Sequence, residues 1–405
     1  MRKSILFIIM LLAAAVQSSA QQYMYLWQFG EYTKISCDAA AQMPFSAAGS
    51  RITINGTTYY TSAIDSLTFT PPALNTEGKV VVTYNGASAS VSIPAGVSGV
   101  TYSVSGAHIS LTSTNVADEL EYVLQGTSNV GSLVYTGSYK CKFYLNGLNL
   151  TSNKNGAIDI QCGKRVELIL HEGTVNTLCD ASTGTQKATL YCKGHLEIEG
   201  AGTLNLTGRV KHAIRTKEYL QLKRSTGAVT VLSAAGDGLH AGQYFQMNGG
   251  VVNIANVAGD GVQAEITTDA TDENNGQMII KGGTLNVNVT GHDVDGLKCD
   301  DDLIISGGNI TVYNSGNGSK GISVNGDMWV SEDDNATNIY VEATGGTYVN
   351  QTDWTTSRCM GIKVDFDMTV SAGKITVKNT NSASRSIKVD GTYTNNGGTV
   401  DATIE

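Results

Sequence analysis

The chain has 405 residues, with 27 Lys and Arg against 36 Asp and Glu and a formal net charge of −9. That acid excess argues against nucleic acid or an anionic membrane as a partner. Gly is abundant at 46 and Pro scarce at 4, a balance that suits many short strands joined by tight turns and excludes an all-helical fold.

In chain order, Arg2-Lys3, the apolar run from Ile5 to Val16 and Ser18-Ser19-Ala20 read as a signal peptide over residues 1–20. The protein is therefore expected to be exported, to the periplasm or beyond the cell surface. The apolar run is too short for a membrane span, and no transmembrane segment is expected in the mature chain. Residues 21–79 are expected to form a small β module, with strands in YLWQFGEYTKIS and RITINGTTYYTSAIDSLTF between Tyr23 and Phe69. Residues 80–405 read as one long domain, entered through VVVTYNG, VTYSVSG, HISLTS and CKFYLNGLNL.

Within that domain a short apolar phrase returns: GAIDI at Gly156, ATLYC at Ala188, HAIRT at His212, DGLHA at Asp237 and DGVQA at Asp260. It continues as DGLKC at Asp295, KGISV at Lys320, MGIKV at Met360 and RSIKV at Arg385. The base period is about 24 residues, which marks stacked supersecondary units and not a globular core. A second signature follows each phrase, as in GTLNLTG from Gly202, GGVVNIA from Gly249 and GGNITVYN from Gly307. Its period-2 alternation predicts half-buried strands led by glycine turns. Three strands and three turns per period make one coil of an all-β, parallel β-helix, expected to be right-handed by the crossover rule. Insertions are expected at Glu265–Gln277, Ser331–Asn338 and Thr347–Arg358, where long loops at one corner would build a binding face.

Cys192 and Cys299 share the slot two residues after the central aliphatic, a buried small-residue position. They lie four rungs apart, about 19 Å at the strand spacing, too far to bridge. The other five cysteines are left open, with mostly free, buried thiols expected.

Read by column, Asp237, Asp260 and Asp295 fall on consecutive rungs, about 4.8 Å apart. Stacked carboxylates repel one another unless a cation neutralises them. An oxygen-only donor set favours calcium over zinc. Asp293, Asp300 and Asp301 are further candidate ligands. The alternative is ordinary Asp-Gly turn chemistry, each Asp capping nearby backbone. One residue after each aliphatic runs an outward stripe: Asp159, Tyr191, Arg215, His240, Gln263, Lys298, Ser323, Lys363 and Lys388. Arg215, His240, Lys298 and Lys363, with Lys320 from the Asp column, would pair with an acidic polysaccharide bridged by the metal. Tyr348 and Trp354 are candidate sugar-stacking platforms, whereas Trp27 and Trp329 read as packing residues.

The succession GDGLHA…GGVVNI…GDGVQAE…GGTLNVNVTGHDVDGLKCDDDLIISGGNITV resembles the bacterial carbohydrate-binding β-helix family related to the family 9 pectate lyases, over roughly Val80 to Glu405. The segment ending TSAIDSLTF more loosely resembles N-terminal modules of exported Bacteroidetes proteins. The first resemblance implies calcium held by aspartates between coils and recognition of an acidic or plant cell-wall polysaccharide without catalysis. A lyase acting by β-elimination would use Lys298 or Lys320 as the base. A structural or adhesive solenoid is the third reading.

Overall fold

The computed structural model describes residues 23–37, 43–46 and 48–405; the expected signal peptide lies outside them. The chain divides into two compact units, up to Ala73 and from Leu74 onwards. The first is small. Strands Tyr23–Gln28, Glu31–Ser36 and Ser66–Thr68 form an antiparallel sheet beside a hairpin of Arg51–Ile54 and Thr57–Tyr60. Met24, Leu26, Ile35, Ile52 and Ile54 make its core. Trp27 donates to Thr68 Oγ1 and packs on Tyr32, consistent with a packing role.

The second unit is a parallel β-solenoid of about twelve turns over residues 108–401, with roughly 25 residues per turn. Each regular coil contributes one strand to each of three faces. In one coil these are Leu297–Cys299, Leu303–Ile305 and Gly308–Asn314. Their partners in the next coil sit in register, Leu297 on Ile322, Leu303 on Met328 and Ile310 on Ile339. The first face is a 12-stranded sheet; the other two share a 22-stranded sheet. Alternation along each strand sends Leu, Ile and Val inward, where they form one continuous buried core from Val80 to Ile387. Antiparallel hairpins, Val80–Asn85 with Ser88–Ser92 and Val100–Ser105 with His108–Ser113, precede the parallel coils. Near that end Tyr122, Tyr135 and Phe143 fill the interior as an aromatic cluster with centroids 4.9–5.2 Å apart.

Cys141, Cys162, Cys179, Cys192, Cys299 and Cys359 are free and buried, Cys192 and Cys299 among the inward residues as their phase implies. No helix among the described residues is long and apolar enough to cross a membrane. The insertions do not share one corner. Residues 265–277 join the first face to the second, and 331–336 join the second to the third. The hairpin Thr347–Val349 with Thr356–Arg358 joins the third face back to the first. A fourth extension, residues 180–187 before Ala188, was not among the loops named above, although the step of 32 residues from Ile158 to Leu190 exceeds the base period; it occupies that last corner in an earlier coil. Loops from both edges therefore flank the outer surface of the 12-stranded sheet.

At that corner the backbone of successive coils nearly touches. A Cβ on Gly316 would lie 1.7 Å from Gly291 O, and one on Gly345 would lie 1.9 Å from Gly316 O. Gly316→Ala must push two coils apart, with an expected loss of about 1–3 kcal/mol, measurable as a lower urea midpoint with an unchanged slope.

Candidate functional site

The outward stripe is one continuous row. Pairing registers Asp159 on Tyr191, Tyr191 on Arg215, Arg215 on His240, His240 on Gln263 and Gln263 on Lys298. Ser323, Lys363 and Lys388 continue it. Its cations are not equivalent. Lys298 pairs with Asp260 at 3.6 Å, Lys363 with Asp365, and Lys388 with Asp390 at 2.6 Å. His240 is buried between Asp237 and Glu265. Arg215 instead lines a shallow cleft of about 370 Å³ with Gln161, Gln186, Lys187, Tyr191 and Lys217. Arg215, Lys187 and Lys217 have no ion-pair partner among the described residues. The sequence stripe had marked Arg215 and Tyr191; Lys187 and Gln186 come from the extension, and Lys217 from a turn three residues after Ile214, an offset not taken as part of the binding row.

The Asp column is a chain of hydrogen bonds along the solenoid. Asp260 N–H donates to Asp237 Oδ1 at 2.9 Å, Asp295 N–H to Asp260 Oδ1 at 2.7 Å, and Lys320 N–H to Asp295 Oδ1 at 2.8 Å. Each carboxylate thus caps the backbone of the following coil, the turn-chemistry reading extended across rungs. All three are 7–8% exposed. A parallel ladder that sequence reading missed runs along another corner. There Asp302 Oδ1 accepts Asp327 N–H at 2.9 Å, Asp327 Oδ1 accepts Asp367 N–H at 2.8 Å, and Asp367 Oδ1 accepts Thr392 N–H at 2.7 Å. The signal was present, an Asp at one fixed offset after Leu297, Ile322 and Ile362.

The second carboxylate oxygens separate the first ladder into two environments. At its start Asp237 Oδ2 lies 2.7 Å from His240 Nδ1 and 3.0 Å from His212 Nδ1. Burial works against the Asp237 charge, but hydrogen bonds and charge from the two histidines hold its carboxyl far below the usual range. Burial pushes His212 down. His240 is held up: burial opposes its charge and is outweighed by Asp237 and Glu265. Farther along, burial and the neighbouring Asp295 push Asp260 up to about 6 against Lys298. Burial likewise raises Asp295, against Lys320 and Lys298. Those two buried carboxylates are under-compensated, and their donors are all oxygen, a set that fits a hard cation. Calcium there would be held by Asp260 and Asp295.

The other expected ligands lie apart from that pair. Asp293, at φ 55°, meets Lys320 Nζ at 3.7 Å. Asp300 accepts from Ile266 N–H at 3.3 Å and Asn325 Nδ2 at 3.4 Å, while Asp301 sits 3.4 Å from Gln277 Nε2.

Both candidate bases are engaged by neighbouring groups. Lys320 Nζ donates to Gly318 O and Ser357 Oγ, both at 2.8 Å. Lys298 is partly buried, which opposes its charge, yet Asp260, Asp295, Asp300 and Asp237 hold it above its ordinary value. Tyr348 stacks on His292 at 5.6 Å in the corner hairpin, and Trp354 at its tip is 71% exposed. Trp329 points outward from the second face at 38% exposure, contrary to the packing role read for it.

A family profile described as "Carbohydrate-binding domain-containing protein" matches residues 105–404. A curated relative of the same description from Acetivibrio thermocellus is 29% identical over 120 residues, 27% of this chain and 41% of the relative. The chain thus spans about two fifths of that relative's length. A solved structure titled as the polysaccharide lyase-like protein from C. thermocellum, a gadolinium derivative, aligns at 18% identity and a TM-score of 0.44. It covers 79% of this chain and 99% of its own. With its profile matched across nearly the whole solenoid, this chain belongs to the carbohydrate-binding domain-containing protein family.

Proposed function

We propose that the protein is exported and binds an acidic or cell-wall polysaccharide, without cleaving it, on the outer surface of the 12-stranded sheet. The observation that carries this reading is the difference among its cations. Every lysine of the stripe lies within salt-bridge distance of a carboxylate, whereas Arg215, Lys187 and Lys217 line an open cleft and form no salt bridge among the described residues. A guanidinium can grip a carboxylate through two parallel hydrogen bonds. The amides of Gln161 and Gln186 suit sugar hydroxyls, and the half-buried Tyr191 ring gives a face for a pyranose. Trp354 and Tyr348 offer a second contact on the same edge of the sheet. Calcium at Asp260 and Asp295 would supply the positive charge those buried carboxylates lack. Export rests on the apolar N-terminal run.

Affinity electrophoresis in polygalacturonate and in a neutral β-glucan tests the reading. Retardation by the acidic polymer that weakens with salt is the expected result. Equal retardation in both gels would remove the acidic specificity. Ultraviolet absorbance of unsaturated products is expected to stay flat with calcium present, because Lys320 Nζ is engaged by Gly318 O and Ser357 Oγ and Lys298 Nζ lies beside Asp260.

A further inference from the structure

Three side chains at the start of the Asp ladder converge on one point. His212 and His240 occupy neighbouring coils, their ring centroids 4.4 Å apart. Both Nδ1 atoms face the same oxygen, Asp237 Oδ2, at 3.0 and 2.7 Å. All three side chains are buried, and they are the only His, Cys, Asp and Glu trio so gathered among the described residues.

The hydrogen bonding of this cluster does not close. Asp237 N–H donates to His212 Nδ1 at 3.1 Å while Asp237 Oδ2 lies 3.0 Å from that same nitrogen. An imidazole nitrogen accepts or donates; it cannot serve both neighbours. With the nitrogen bare, its lone pair opposes the carboxylate oxygen. With it protonated, two hydrogens meet. His212 Nε2 is also buried without a partner. A buried group of this kind calls for an explanation such as an ion.

We propose that His212 Nδ1, His240 Nδ1 and Asp237 Oδ2 form a binding site for a zinc-class divalent transition metal, distinct from any calcium at Asp260 and Asp295. The donor set decides the class. Two imidazole nitrogens and one carboxylate oxygen suit zinc, cobalt, nickel or copper, whereas calcium takes oxygen. At ligand distances of about 2.0–2.1 Å, neighbouring donors around a tetrahedral ion stand a little over 3 Å apart, close to the two nitrogen–oxygen separations of 3.0 and 2.7 Å, and all three donor atoms lie within 4.8 Å of one another. A cation between the three atoms removes the opposition between the His212 lone pair and the carboxylate. The outer partner that orients a metal-bound imidazole is also present, since Glu265 Oε2 lies 3.0 Å from His240 Nε2. Three protein ligands leave a fourth position to water.

The test is titration of chelator-treated full chain with Co²⁺, followed by visible ligand-field bands, and with Zn²⁺ by calorimetry, both in excess calcium. One equivalent with tetrahedral-type cobalt bands, undisturbed by calcium, is expected. His240→Ala should abolish the bands. Glu265→Gln, on a surface loop outside the ladder, should weaken zinc about 10-fold or more while leaving the circular dichroism spectrum and unfolding midpoint of the metal-free protein unchanged. Failure of the wild-type chain to take up either metal overturns the proposal. So does undiminished binding in a folded His212→Ala, His240→Ala double variant.

Discussion

Replacing Arg215 and Lys217 together by Ala is expected to weaken binding of an acidic polysaccharide by about 100-fold, while the paired change Lys363→Ala, Lys388→Ala leaves it within about threefold. The magnitude follows from charge-assisted hydrogen bonds worth about 1.5–3 kcal/mol each, tempered by solvent at an open cleft. The contrast follows from geometry. Arg215 and Lys217 line the cleft and form no salt bridge among the described residues, whereas Lys363 and Lys388 must leave Asp365 and Asp390 before engaging a ligand. Equal losses in the two variants would mean that the whole stripe, and not the cleft, holds the polymer. Neither variant touches the core, so unfolding midpoints should coincide with wild type.

Asp260 is expected to reveal two opposing roles through two substitutions. Its Oδ1 caps Asp295 N–H at 2.7 Å, a bond that Asn can keep and Ala cannot. Leaving that buried N–H without an acceptor costs about 1–3 kcal/mol, so Asp260→Ala should unfold more readily than Asp260→Asn by that margin. The carboxylate itself is a burden in calcium-free buffer, because its native value near 6 lies above the ordinary 3.8. The folded state then holds the proton more tightly than the unfolded state. This contribution to stability is present in full below about pH 4 and is lost as pH rises through about 6. At pH 7 the loss amounts to at most about 3 kcal/mol. Without calcium, Asp260→Asn should therefore be more stable than wild type at pH 7, with the advantage vanishing at pH 4. Saturating calcium should reverse the order if the ion is held there. Denaturant midpoints at the two pH values, with and without calcium, read every arm.

The period of the apolar phrase carried the coil, the three faces and the outward row, because a parallel solenoid turns sequence phase directly into spatial stacking. Leu297 over Ile322 and Lys298 over Ser323 are pairings that counting alone supplies. The Asp column was legible as a column, but its chemistry was not. The sequence shows Asp237, Asp260 and Asp295 as equals, whereas the fold gives Asp237 two histidines and gives Asp260 a lysine at 3.6 Å. Counting puts His212, two residues before Ile214, in the slot that later coils fill with Asp; what the fold adds is that its ring lies 4.4 Å from that of His240 in the next column. The ladder of Asp302, Asp327 and Asp367 was legible too, five residues after Leu297, Ile322 and Ile362, but it lies in the turn beyond the apolar phrase. Residues 180–187 show as a long step, but an irregular loop has no phase to place its side chains. There contact depends on how the chain closes in space and not on its period.

Each ladder carboxylate serves the amide of the coil that follows, so a coil needs to know only its two neighbours. A copied cassette of one coil, carrying its own Asp, would find the same welcome on either side as the original. The protein can thus gain or lose reach along a polymer in steps of about 4.8 Å, each step adding one more strand of surface and leaving the cleft at Arg215 undisturbed. Tandem duplication of a coil is then the step by which a chain of this fold would change length, and the irregular loops are where its outer surface would change.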